Sequence, residues 1–172
     1  LVLGSQDREA PTLGLFGGVH GLERVGSHVV LNYLKPLVRQ LAWDKQLLKT
    51  FENFRIVSIP IVNPGGMYLN RRSNPNGVDI MRNAPVEAVG DVKWLVGGHR
   101  ISPKLPWFRG FTNSDLEIET KALVQFAEDE LINSRFALAV DVHSGFGMHD
   151  RFWHPYSSST KDYPYIDTVN NL

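Results

Sequence analysis

LGLFGGVHGLERVG, residues 13–26, decides how this chain is to be read. An apolar run, 13–19, ends on a polar corner where His20 and Glu23 stand three residues apart between Gly17, Gly18 and Gly21. The run has the length and composition of a short buried strand. From Ser27 to Leu41, Val29, Val30, Tyr33, Leu34, Leu37, Val38 and Leu41 recur at helical spacing, with Pro36 inside predicting a kink or a break. Strand, glycine corner, helix is the opening of an α/β unit, and the corner carries two side chains able to ligate a metal.

The rest of the chain repeats the pattern. RIVSIPIV, residues 55–62, reads as a second strand closed by the turn signal NPGG. Residues 84–114 read as loop, with three prolines and four glycines. SDLEIETKALVQFAEDELI, from Ser114, reads as a helix capped by Ser114 with Glu117 three residues on. FALAVDV, residues 136–142, reads as a third buried strand, while residues 149–172 receive no assignment. Strands alternating with helices predict an α/β fold, a largely parallel or mixed central sheet with helices on both faces. In such sheets sites lie beyond the carboxyl ends of the strands. HGLE, NPGG and HSGFG each follow a strand in that way.

Composition narrows the chemistry. The 172 residues suit one domain, and 18 basic against 18 acidic residues give zero formal net charge, so nothing points to nucleic acid or to an anionic membrane surface. No apolar run is long enough to span a membrane. Without cysteine, any metal must be held by His, Asp or Glu. The chain begins at Leu1 with no signal-peptide pattern, which favours a cytoplasmic location. Oligomeric state is not set by any of these features.

His143, in DVHSG at the end of the third strand, is the candidate third ligand for His20 and Glu23. Two imidazoles and one carboxylate form a set that leaves a catalytic zinc a fourth position. His28, His99, His149 and His154 lack such company and read as structural or solvated, with His149 and His154 close enough in sequence to line a pocket. HxxE at 20–23, NPNGVDIMRN at 74–83 and DVHSG at 141–145, in this order, resemble the M14 zinc carboxypeptidases over roughly residues 10–150.

That resemblance implies a zinc-dependent hydrolase in which an activated water cleaves a C-terminal peptide or related amide bond. It implies one zinc on His20, Glu23 and His143. Asp79 would orient His20, and Arg72 would polarise the scissile carbonyl. Arg82 would bind the substrate carboxylate and Ser144 the substrate backbone. Arginine's planar fork suits a carboxylate. Met81 stands where most of the family carries Asn, and Met cannot donate to a carboxylate, so a different acidic group or an amide becomes a candidate substrate. Asp141, beside the third ligand, reads as a turn cap.

The family's general base is a Glu on a late strand, and no Glu follows His143; Asp150, Asp162 and Asp167 are the carboxylates there. The family's mobile Tyr has no counterpart either, since Tyr156, Tyr163 and Tyr165 fall too close to His143. The expectation is a single domain over 1–172 that lacks its C-terminal part. Two alternatives accompany the peptidase: an N-acyl amino acid deacylase-like amidohydrolase, and a non-catalytic zinc- or peptide-binding relative without the base.

Overall fold

The computed structural model describes residues 1–145, 148–149, 152–154 and 161–171. Four strands form one mixed sheet: β1 (Val2–Gly4), β2 (Thr12–Gly17), β3 (Arg55–Ile59) and β4 (Ala137–Val142). Their order is β1-β3-β2-β4. β1 runs antiparallel to β3, and the other pairings are parallel. Phe16 pairs with Ile59 and Gly17 with Val142, so β2, β3 and β4 end flush at one edge of the sheet. That register brings the three polar corners together.

Both faces are covered. α1 (Arg24–Gln40) lays Val30 and Leu34 against Ile56, Leu13, Leu15 and Val142. α4 (Ile118–Glu130) packs Leu123, Phe126 and Ala127 on the opposite face with Phe16, Val57 and Leu131. α2 (Lys45–Phe51) is capped by Asp44, whose carboxylate accepts from the N–H groups of Gln46 and Leu47. Two short helices, α3 (Pro64–Tyr68) and α5 (Ile166–Asn170), complete the described elements. Among the described residues no helix is long and apolar enough to cross a membrane.

Four details depart from the sequence reading. α1 begins at Arg24, ahead of Ser27, and runs through Pro36 unbroken. Pro36 is exposed, so the Asn32 carbonyl that loses its helical donor, on an exposed residue, can bond water instead. β3 stops at Ile59 because Pro60 has no N–H for the ladder. Ser114 does not cap α4: its hydroxyl donates to the Phe111 carbonyl, and the helix starts after Glu117. The segment before it is held extended by loop contacts, with the Glu117 N–H donating to Asn83 Oδ1 and the Glu117 carboxylate accepting from Asn74 and Asn76. Finally, β4 is not buried on both faces. It is last in the sheet order, and its side chains alternate between exposed and half-buried.

Candidate metal centre

The corner after β2 is fixed by backbone contacts that leave no room for side chains. Gly18 adopts φ +66°, in the left-handed region that favours glycine. A Cβ on Gly21 would lie 2.1 Å from the Gly66 carbonyl carbon, and one on Gly26 would lie 2.1 Å from the Val142 carbonyl oxygen. The corner is thus wedged between α3 and the end of β4. Asn63 ties the same corner down. Its side chain accepts from the Gly66 N–H at 2.8 Å and donates to the Val19 carbonyl at 3.3 Å.

His20, Glu23 and His143 converge there, each offering a ligand atom within 4.8 Å of the others. His20 Nδ1 lies 2.8 Å from Glu23 Oε1, and His143 Nδ1 lies 3.2 Å from Glu23 Oε2. The two rings sit 4.9 Å apart. Each imidazole turns its other nitrogen to a carboxylate: His20 Nε2 to Asp79 Oδ1 at 3.3 Å, His143 Nε2 to Asp141 Oδ2 at 2.8 Å. The Ser144 N–H donates to Glu23 Oε2 at 2.8 Å. Arg72 closes the cluster, with Nε donating to Asp79 Oδ2 at 2.9 Å and Nη1 to Glu23 Oε1 at 3.4 Å.

Burial pushes the Glu23 carboxyl up, but hydrogen bonds from His143, His20 and the Ser144 N–H outweigh it and hold the group ionised, far below the usual carboxylate range. Burial likewise raises Asp79, and the His20 hydrogen bond and the Arg72 charge bring it below its ordinary value. His143, bonded first to Asp141 and then to Glu23, is raised to about 9.

The donor set fits zinc. Two imidazole nitrogens and a carboxylate point inward, and the outer nitrogens are bound to carboxylates, the arrangement that orients a ligating histidine and raises its basicity. The cluster lies away from a groove of about 620 Å³ that runs along α1 past His28 and Lys35.

Other candidates fall elsewhere. Arg82 does not reach the cluster: Nε and Nη2 donate to the Val96 carbonyl at 3.2 and 3.1 Å, and Nη1 lies 3.1 Å from the Met81 sulfur. Ser144 contributes its backbone N–H to Glu23. His99 is a loop clamp, with Nε2 donating to the Pro106 carbonyl and Nδ1 accepting from the Ile101 N–H. His154 stacks on Tyr163. Asp150 and Tyr156 lie outside the described residues. Asp141, read from sequence as a turn cap, is the partner of His143. Its signal was present, because residues two apart on a strand share a face.

The sequence profile of the zinc carboxypeptidase family matches residues 2–171. The chain is 25% identical over 186 aligned residues to the carboxypeptidase N catalytic chain of Rattus norvegicus, covering 94% of this chain and 39% of that protein. It is 24% identical to the inactive metallocarboxypeptidase ecm14 of Talaromyces stipitatus, covering 96% of this chain and 29% of that protein. The chain therefore spans well under half the length of these relatives. The crystal structure of thrombin activatable fibrinolysis inhibitor shares the fold, with a TM-score of 0.66 at 16% identity over 98% of this chain and 47% of that one.

Proposed function

The chain belongs to the M14 zinc carboxypeptidase family, and from that premise we propose that it is a zinc-dependent hydrolase of the metallocarboxypeptidase type, cleaving a C-terminal peptide or related amide bond. The observation that carries this reading is the convergence of His20, Glu23 and His143, each imidazole backed by its own carboxylate. These three residues would hold the zinc. When bound, zinc supplies Lewis acidity toward the scissile carbonyl. Asp79 and Asp141 hold the imidazoles in one tautomer and one orientation. The Ser144 N–H fixes the Glu23 carboxylate, which leaves the Ser144 hydroxyl for the substrate backbone. Arg72, anchored on Asp79, places a guanidinium beside the cluster, where it stabilises negative charge developing on the carbonyl oxygen. Arg82 binds the substrate carboxylate after exchanging the Val96 carbonyl for it.

A second reading has its own observation. Among the described residues no uncommitted carboxylate faces the cluster, because Glu23, Asp79 and Asp141 are each bonded to a histidine there. A hydrolase also needs a group that takes the proton from water and delivers it to the leaving amine. A protein that binds zinc and peptide without turnover would have this arrangement. The purified protein, loaded with zinc, decides between them when assayed for release of the terminal amino acid from peptides with a free carboxylate. Release abolished by a chelator supports the hydrolase, whereas zinc and peptide binding without release supports the second reading.

A further inference from the structure

Beside the cluster lies a cavity of about 270 Å³, walled by residues 71–79 on one side and 103–107 on the other. Its wall is basic. Arg71 and Lys104 both line it, both are exposed, and neither side chain meets an ion-pair partner among the described residues. Arg72 also lines it and reaches Glu23 at 3.4 Å, so the cavity and the metal cluster share a guanidinium. Asp79 is the acidic residue of the lining, and it is already spent on His20 and Arg72. The chain as a whole has no net charge, so this excess of positive charge is local.

The far wall is built to hold its shape. Trp107 lines the cavity with φ +64°, a conformation that a non-glycine residue keeps only when its surroundings enforce it. The enforcement comes from His99, whose backbone N–H donates to the Trp107 carbonyl and whose ring bonds both the Pro106 carbonyl and the Ile101 N–H. A preformed pocket with an aromatic wall and unspent cations favours an anionic group on an apolar stem, because little ordering is left to do on binding.

We propose that this cavity is a specificity pocket for a carboxylate side chain, so that the site prefers peptides carrying Glu or Asp within a residue or two of the bond cleaved. The proposal rests on the hydrolytic reading for its link to cleavage, but the binding it describes does not require turnover. Arg71 and Lys104 set the preference. Arg72, shared with the cluster, fixes the distance between the acidic group and the reacting carbonyl.

The test uses pentapeptides in which one Glu is moved through the positions, each matched by a Gln peptide, with binding measured by calorimetry on zinc-loaded protein. At one position Glu should bind up to about tenfold tighter than Gln, the scale of two exposed ion pairs, and the preference should shrink with added salt. Arg71→Glu and Lys104→Glu should each abolish or invert it, and Arg71→Gln and Lys104→Gln should each reduce it. All four change exposed side chains and should leave the melting temperature unchanged. Equal affinity for Glu and Gln peptides at every position, a preference untouched by the reversals, or no peptide binding would overturn the pocket. Release of terminal residues from Gln peptides without a Glu preference sinks the pocket and leaves the hydrolase standing. A Glu preference in binding without release does the reverse.

Discussion

His143 carries the clearest consequence at the scale of single residues. Its folded-state value of about 9 lies above the ordinary imidazole value, because Asp141 and Glu23 both favour the charged ring. In the zinc-free protein this pairing therefore stabilises the fold fully below about pH 6.5, and the contribution is lost as pH rises through 9. A metal needs the neutral ring, so zinc must displace that proton. Apparent zinc affinity should climb by up to about tenfold per pH unit between neutral pH and 9, measured by competition with a chelator. A flat profile would mean that His143 is not a ligand. Asp141→Asn should lower zinc affinity by about 10 to 100-fold and move the climb to lower pH, and Asp79→Ala should weaken affinity by a similar factor. A turn cap at Asp141 would move neither quantity. HxxE and DVHSG made the three ligand candidates legible in the sequence. The pairing of Asp141 with His143 was overlooked although its spacing showed it, and the tether from Arg82 to Val96 could not be seen, since it depends on how a loop of low regularity folds back.

Elements explain why the corner holds. Gly26 lets the first turn of α1 touch the end of β4, where an added methyl would overlap the Val142 carbonyl. Gly26→Ala should cost about 1–3 kcal/mol despite alanine's better helix propensity, read as a fall in melting temperature. Asn63→Ala removes the cap of α3 and the tether to Val19 together, and should cost about 1–2 kcal/mol. Ser114→Ala, by contrast, should leave the stability of α4 nearly unchanged, because the hydroxyl does not cap it. The central strands were legible because continuous apolar runs bounded by glycine and proline have few other readings. The start of α4 was not, because Glu117 is drawn into contacts with Asn74, Asn76 and Asn83 that join residues far apart in sequence. β1 and α2 were missed for a related reason: each is short, and each gains its stability from the sheet and core it packs on rather than from its own pattern.

Taken as a whole molecule, the chain uses parallel strands ending flush to bring His20, Glu23 and His143 together, then fixes them with two carboxylates, one backbone N–H and one arginine. With Glu23, Asp79 and Asp141 committed, proton transfer has no dedicated group among the described residues; unless Asp150, outside them, serves as the base, zinc-loaded protein of this sequence should turn over about 10² to 10⁴-fold below a hydrolase with a positioned base. Stopped-time assays on a free-carboxylate peptide would show it, and rates normal for an enzyme would place a base within these residues. The proposed hydrolysis depends on the metal, so zinc content after dialysis is the most direct test. Wild-type protein should retain about one zinc per chain, and His20→Ala, Glu23→Ala and His143→Ala should each lose most of it while keeping their folded circular dichroism. Undiminished zinc in folded His20→Ala and His143→Ala proteins would contradict the account.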